Sequence, residues 1–352
     1  MKTTIKSLEG LRGVAAVLVV LHHMFYSPPN RLFANGYLAV DLFFVLSGFI
    51  ICRTYADELT DGVQIAAFVL RRFGRLWPVY AITGVIAVAA SFAFHLPTLG
   101  DAFSIISLTQ GLGLFSPSTV GGVSWSASDE FYVYLLFAAL CFTFRRKSRN
   151  AAFLGLAFVG YVAAVDVSLH HSCLQRGGCL GSLTGSYGWI RCVVGFCIGA
   201  LLCEVRGRLS ILANSKAAQL ISFATTLSLV LFADQLPGAA FAAPLVFALL
   251  VATLADDSGP IASFFQNRLA QYLGRISYPL YLSHGAMFFP LVAVTWGVPL
   301  SGRIIPYSMF LFWAFASAHL LNKYVEIPCR DRFNGWARII QLPRKAPGRA
   351  AS

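Results

Sequence analysis

The sequence is poor in charge. Asp, Glu, Lys and Arg make up only 12% of its 352 residues, about half the share found in soluble domains. Hydrophobic residues make up 57%. Apolar runs of roughly 17–25 residues recur along the chain, which is the length that a helix needs to cross a membrane. The composition therefore excludes a water-soluble enzyme and predicts an all-α integral membrane protein.

The chain also lacks a long polar segment. The longest segments between the apolar runs cover residues 53–75, 96–122 and 168–188, and each is too short to fold as a packed soluble module. No small-residue cleavage site follows the first apolar run, so we interpret that run as a retained span rather than a signal peptide. No internal repeat is visible, which disfavours a transporter built from related halves.

We predict about ten transmembrane helices. They cover residues 9–27, 38–52, 76–95, 123–144, 151–167, 189–204, 217–233, 238–255, 273–296 and 304–323. The segments on one side of these helices carry most of the Lys and Arg, while those on the other side carry only Arg31, Arg176 and Arg303. Since basic segments stay in the cytoplasm, both termini are predicted to be cytoplasmic. The net charge of +12 then reflects topology, and no nucleic-acid partner is expected.

Cysteine is scarce outside the predicted spans and the cytoplasmic side. Of the 8 cysteines, only Cys173 and Cys179 lie in a predicted outer segment, where oxidising conditions permit a disulfide. His170 and His171 are close by, but the spacing matches no standard zinc pattern. A disulfide, two free thiols and a metal site all remain open for this pair. No metal is predicted at the candidate catalytic residues.

The first predicted span contains two ionisable residues, Arg12 and His23. Such groups are costly inside a membrane and usually face a cavity or one another. Their separation along a helix is within ~20° of three full turns, so both side chains project from one face, roughly 16 Å apart. We interpret this shared face as functional. The alternative is that Arg12 snorkels towards water while His23 anchors the helix at the interface.

Two other spans place carboxylates at a depth similar to that of His23. Asp41 lies in GYLAVDLFFVLSGF, and Glu130 follows Asp129 in GGVSWSASDEFYVYLL. A carboxylate can orient an imidazole and stabilise its charge. We therefore predict His23, Glu130 and Asp41 as catalytic residues. The alternative for the carboxylates is a helix cap.

Three arginines, Arg71, Arg72 and Arg75, precede Trp77-Pro78, where the third span is predicted to begin after an amphipathic surface helix. Guanidinium groups at a helix start can bind phosphates, although such a cluster is also an ordinary marker of the cytoplasmic side. Weaker candidates, for substrate binding or for helix packing, are Trp125, Ser277, Tyr278, Tyr281, His284 and Glu326.

Six segments together resemble acyltransferase family 3, the membrane-bound acyltransferases that modify extracytoplasmic glycans. They are LEGLRGVAAVLVVLHH, GYLAVDLFFVLSGFII, RRFGRLWPVY, WSASDEFYVYLL, LGRISYPLYLSH and VEIP. They occur in the family's order over nearly the whole chain. Arg12 and His23 match the family's arginine-x10-histidine motif, and Arg72 and Arg75 match its arginine-x-x-arginine motif. Glu130 takes the family's acidic position, in a segment that is more polar than usual.

The resemblance implies that an acyl group, most often acetyl, passes from cytoplasmic acyl-coenzyme A to a hydroxyl of an extracytoplasmic glycan, such as an exopolysaccharide, an O-antigen or a lipid-linked oligosaccharide. Arg72 and Arg75 are expected to hold the coenzyme phosphates, and Arg12 to line the path of the thioester. His23 is expected to deprotonate the acceptor or to carry the acyl group itself. Acyl-coenzyme A is the expected co-substrate, and no metal is expected.

The resemblance also implies a multi-pass protein of the bacterial cytoplasmic membrane, surrounded by membrane lipid and working beside polysaccharide-assembly proteins. We expect an acyltransferase domain over residues 1–328, a basic cytoplasmic tail over 329–352, and none of the fused hydrolase-like domains that some members carry. The alternative functions are a transporter or flippase for a polysaccharide precursor, without covalent chemistry, and a membrane scaffold for polysaccharide assembly.

Overall fold

The computed structural model describes residues 4–25, 30–91, 98–112, 122–170, 184–209, 215–236, 238–295 and 300–342. Within these ranges the chain is helical and contains no strand, which confirms the predicted all-α class. The main helices are α1 (Lys6–Met24), α2 (Ala39–Tyr55), α3 (Gly62–Ser91), α4 (Leu99–Ser107), α5 (Trp125–Thr143), α6 (Arg146–His170), α7 (Thr184–Val205), α8 (Lys216–Phe232), α9 (Ala243–Leu254), α10 (Pro260–Phe265), α11 (Arg268–Ala286), α12 (Phe288–Thr295), α13 (Ile304–Leu321) and α14 (Ile327–Gln341). A π-helical turn, Asn322–Glu326, joins α13 to α14.

Within the described ranges, 5 helical segments are long and apolar enough to cross a membrane. They are Gly36–Tyr55, Gly62–Ala90, Arg146–His170, Tyr187–Arg208 and Ile304–Gln341. These segments support the predicted membrane protein. Each predicted span overlaps a helix, but the number of about ten crossings and the cytoplasmic termini remain predictions.

Three helices that carry predicted site residues, α1, α5 and α11, are not among those segments. Charged and polar residues lower the mean hydropathy of these helices, and the predicted site residues are among them. Polar groups of a membrane protein face the interior of the helix bundle. Accordingly, most residues of α11 from position 276 to 286 are buried.

Close contact between backbones holds α1 against α11. A Cβ atom added at Gly13 would lie 2.4 Å from the backbone nitrogen of Gly274, and one added at Gly274 would lie 2.4 Å from the carbonyl oxygen of Glu9. Glycine permits this approach, as it commonly does between membrane helices. The two helices run parallel, because Arg12 contacts Ser277 and the later His23 contacts His284.

Helices α2 and α7 pack in the same way. A Cβ atom at Gly48 would lie 2.0 Å from the Phe196 carbonyl oxygen, and one at Gly199 would lie 2.1 Å from the Val45 carbonyl oxygen. This packing brings the first turn of α2 beside the first half of α7. As a result, Asp41 lies against Arg191 inside the bundle.

Helix α3 corrects one prediction. It runs without interruption from Gly62 to Ser91 with Pro78 inside it, so the predicted surface helix and the span beginning at Trp77-Pro78 are one element. Proline lacks the N–H that would bond the carbonyl four residues earlier, but membrane helices tolerate this where neighbouring helices compensate. The three arginines therefore project from the middle of a helix, and the expected helix-start attraction for anions does not apply.

The first part of the predicted basic tail is also ordered. Helix α14 continues to Gln341 and packs along α3. The division of the chain at residue 328 remains a prediction. The outer cysteine pair, Cys173 and Cys179, lies outside the described residues.

Candidate functional site

A cavity of about 140 Å³ lies between α1, α2, α3, α5 and α11. Most of the predicted site residues line it. They are Arg12, Arg72, Arg75, Glu130, Ser277, Tyr278 and Tyr281. We call this space the arginine cavity. It joins residues that are far apart in the sequence, and three of its lining side chains are guanidinium groups.

Arg12 enters the arginine cavity from α1 and contacts α11. Its Nε donates to Ser277 Oγ at 3.0 Å, and its Nη2 donates to the Gly274 carbonyl oxygen at 3.1 Å. Nη2 also forms an ion pair with Glu9 Oε1 at 2.7 Å, one turn earlier in α1. Ser277 thus acts as an anchor for Arg12, since its own hydroxyl donates to Gly274.

Arg75 is held by the π-helical turn. It forms an ion pair with the buried Glu326, whose other oxygen accepts a hydrogen bond from Asn322 Nδ2 at 2.8 Å. The Arg75 guanidinium also lies over the ring of Tyr278, with 5.4 Å between the guanidinium carbon and the ring centroid. Glu326 therefore neutralises and orients a cavity arginine. The sequence had offered substrate binding or helix packing for this residue, and its ion pair joins the π-helical turn to α3 beside the cavity.

Arg72 is bound differently. Its Nη2 donates to the Tyr55 hydroxyl at 3.1 Å, and its guanidinium carbon lies 5.2 Å from the centroid of that ring. Its Nε is buried without a hydrogen-bond partner. Among the described residues, Arg72 forms no ion pair with a carboxylate. A buried guanidinium with an unused donor is suited to bind an anion.

Glu130 lines the arginine cavity too. The Tyr134 hydroxyl donates to Glu130 Oε1, and Ser47 Oγ lies 2.9 Å from the same hydroxyl. From its position in the sequence, Glu130 was predicted to lie at the depth of His23 and to orient it. In the structure, Glu130 is instead hydrogen-bonded to Tyr134 and faces the arginine cavity.

The predicted base His23 lies at the far end of the same α1 face as Arg12. Its Nδ1 is 3.0 Å from the Val19 carbonyl oxygen and 3.3 Å from Nε2 of His284 on α11. The ring of His22 is 4.9 Å away by centroids, while His22 Nδ1 contacts the Phe33 carbonyl oxygen at 2.8 Å. His23 thus contacts an imidazole, where the sequence predicted a carboxylate.

Tyr281 lies between the arginine cavity and this histidine pair. Its ring lines the cavity, and its centroid is 5.8 Å from that of His284. Its hydroxyl accepts from Ser126 Oγ at 2.7 Å and donates to the Val123 carbonyl oxygen at 2.9 Å. The two halves of the site therefore share one side chain on α11.

Asp41 belongs to a different cluster. Its two carboxylate oxygens accept from Arg191, from Nε at 3.2 Å and from Nη2 at 2.7 Å, with both side chains buried. The ring of Trp125 lies 5.6 Å from the guanidinium carbon of Arg191. This pairing was not predicted from the sequence. The available signal was an arginine within the span at 189–204, which requires a partner in a membrane.

Known proteins resemble this chain over most of its length. Residues 5–322 match the family model described as an acyltransferase domain. The peptidoglycan O-acetyltransferase OatA of Listeria monocytogenes is 24% identical over 93% of this chain and 56% of its own length. Protein 2 of the picA locus of Rhizobium radiobacter is 41% identical over 37% of this chain and 79% of its own length. The acyltransferase MdmB of Streptomyces mycarofaciens is 32% identical over 37% of this chain and 38% of its own length. No solved structure matches the chain.

Proposed function

The chain belongs to the acyltransferase-domain family that its residues 5–322 match, and from that premise we propose that it is a membrane-bound O-acyltransferase. Family membership confirms the resemblance drawn from the sequence motifs. The proposed reaction moves an acyl group, with acetyl as the expected donor group, from cytoplasmic acyl-coenzyme A to a hydroxyl of an extracytoplasmic glycan in a bacterial cytoplasmic membrane.

One observation carries the proposal. The arginine cavity presents three guanidinium groups, and the shared α1–α11 face leads from it past Tyr281 to His23. Arginine binds phosphate groups through paired N–H donors, and the unused buried Nε of Arg72 fits such an anion. We assign the coenzyme phosphates to Arg72 and Arg75, and the path of the thioester arm to Arg12.

The proposed chemistry takes place at His23. The imidazole removes the proton from the acceptor hydroxyl, and the hydroxyl oxygen attacks the thioester carbonyl carbon. A C–O bond forms as the C–S bond breaks, and the proton passes from His23 to the leaving sulfur. The products are an acylated glycan and the coenzyme thiol. A second route, in which His23 carries the acyl group before the acceptor takes it, uses the same residues.

The acceptor class is supported by the relatives. The Listeria protein is named for peptidoglycan O-acetylation, and a peptidoglycan strand, an exopolysaccharide and an O-antigen all offer sugar hydroxyls. The chain spans 56% of the length of that protein, so the acceptor is assigned here only as a glycan hydroxyl.

The test follows thiol release from acetyl-coenzyme A by the purified protein in nanodiscs, with and without isolated peptidoglycan strands and bacterial surface polysaccharide. We expect acceptor-stimulated release, a loss of about 10²-fold or more in His23→Ala, and normal release in His22→Ala. His22 is the matched control because it is adjacent, is also an imidazole, and points about 80° away from the Arg12–His23 face.

Two further variants test donor binding. Arg72→Met removes a cavity guanidinium, whereas Arg71→Met removes one that does not line the cavity and that contacts Gln341. We expect the KM for acetyl-coenzyme A to rise about 10-fold or more in Arg72→Met only, because a hydrogen bond to a charged group is lost. Absence of thiol release with every acceptor would overturn the proposal and favour a transporter without covalent chemistry.

A further inference from the structure

His284 is a buried imidazole that faces the proposed base. It lies near the end of α11 with an exposed fraction of 0%, and its Nε2 is 3.3 Å from Nδ1 of His23. Parallel packing of α1 and α11 produces this contact, because the helices that join Arg12 to Ser277 at one level join the two histidines further along.

The carbonyl neighbours of the two rings determine where their protons lie. His284 Nδ1 is 3.1 Å from the Leu280 carbonyl oxygen, and His23 Nδ1 is 3.0 Å from the Val19 carbonyl oxygen. A carbonyl oxygen can only accept a hydrogen bond, so the nitrogen that faces it carries the proton. In the neutral state both rings are therefore protonated at Nδ1, and each has its lone pair at Nε2.

This arrangement gives the contact a direction. The Nδ1–H of His23 is shared between Val19 and His284, and the lone pair of His284 Nε2 accepts it. A ring whose Nδ1 is tied in this way presents Nε2 as its basic nitrogen. A hydrogen-bond acceptor at Nδ1 also stabilises the positive charge that the imidazole gains when it takes a proton.

We propose that His284 is the positioning residue of His23: it accepts the Nδ1–H hydrogen bond, selects the tautomer with a basic Nε2, and supports the imidazolium during transfer. This inference rests on the proposed function. In hydrolases with a Ser-His-Asp triad, a carboxylate fills that position. Here the carboxylates predicted for it are engaged by other groups, Asp41 by Arg191 and Glu130 by Tyr134.

Burial gives a reason for an imidazole at this position. An unpaired carboxylate inside a membrane protein is costly, whereas two neutral imidazoles carry no charge until a proton arrives. When His23 takes up a proton, the pair holds a single positive charge, because His284 accepts the hydrogen bond through its lone pair and stays neutral.

The test compares His284→Gln with His284→Leu in nanodiscs. The Gln side chain can present an acceptor oxygen near the position of Nε2, whereas Leu cannot. We expect His284→Leu to lower kcat by about 10²-fold or more, while the KM for acetyl-coenzyme A stays within about twofold, since the arginine cavity is unchanged. We expect His284→Gln to recover kcat to within about tenfold of wild type. His319→Leu is the matched control: His319 is exposed on α13 and contacts Tyr272.

A second readout does not depend on turnover. Nitrogen-15 spectra of histidine-labelled protein, assigned with His23→Ala and His284→Gln, should show protonated Nδ1 on both rings. Protonated Nε2 on the neutral ring of His23 would overturn the inference. Equal loss of kcat in the Leu and Gln variants, with unchanged thermal stability, would do the same, and so would wild-type kcat in His284→Leu. Absence of thiol release in the wild type would instead overturn the proposed function, and the spectra would still decide the tautomer.

Discussion

The Asp41–Arg191 ion pair joins α2 to α7 inside the bundle. Both side chains are buried, and the guanidinium is further covered by the rings of Trp125 and Tyr37, at 5.6 and 6.0 Å from its carbon. Removing one member of a buried pair leaves the other charge without compensation, whereas replacing both members by apolar residues is often neutral. The geometry therefore favours a structural role for Asp41 over the catalytic role predicted from its depth.

We predict that Arg191→Leu and Asp41→Leu each destabilise the protein by about 3–5 kcal/mol, and that the double variant recovers most of that loss. Thermal unfolding of the purified protein in detergent measures the stability of all three. Thioester turnover should also return in the double variant. A double variant that is stable but inactive would instead support a catalytic role for Asp41, and one as unstable as the single variants would contradict the compensation argument.

At the scale of helices, α14 supports the arginine segment of α3. Phe333 of α14 packs on Gly74, and Glu326, in the π-helical turn that precedes α14, pairs with Arg75. These contacts lie in the segment of α3 that carries the arginines of the arginine cavity. The packing of α14 therefore sets the position of the guanidinium groups proposed to bind the donor.

Gly74 provides a sharp test of this support. A Cβ atom added there would lie 2.3 Å from both Cβ and Cγ of Phe333, whereas one added at Gly62, on the same helix, would meet nothing within 4 Å. We predict that Gly74→Ala lowers the unfolding temperature and raises the KM for acetyl-coenzyme A. Gly62→Ala should leave both unchanged or slightly raise the unfolding temperature, because alanine favours helix. Indistinguishable results for the two variants would show that α14 does not position the arginines.

For the whole molecule, single-helix patterns were more predictable than contacts between helices. The apolar runs predicted the helices, and the spacing of Arg12 and His23 correctly predicted one shared face, which contacts α11 at both ends. The depth of Asp41 and Glu130 did not reveal their partners, because residues at one depth meet only if their helices are neighbours and turned towards each other. Glycine contacts such as Gly13–Gly274 set that arrangement, and no periodicity along one helix contains it.

The length of the α1 face leads to a prediction about the two sides of the membrane. Arg12 and His23 are separated by roughly 16 Å along α1, so the proposed donor and acceptor ends lie at different depths. We predict that proteoliposomes with acetyl-coenzyme A outside and polysaccharide enclosed acylate the enclosed glycan, using the molecules whose C-terminal tails face outward.

An impermeant protease removes the outward-facing tails, and a gel of the products counts the molecules in that orientation. Detergent gives both substrates access to every molecule, so acylation in detergent should no longer depend on which side each substrate was placed. His23→Ala is the inactive control. Transfer that occurs only when donor and acceptor share one side would contradict both the predicted topology and the division of the site along α1, since a single aqueous face would then have to reach both ends.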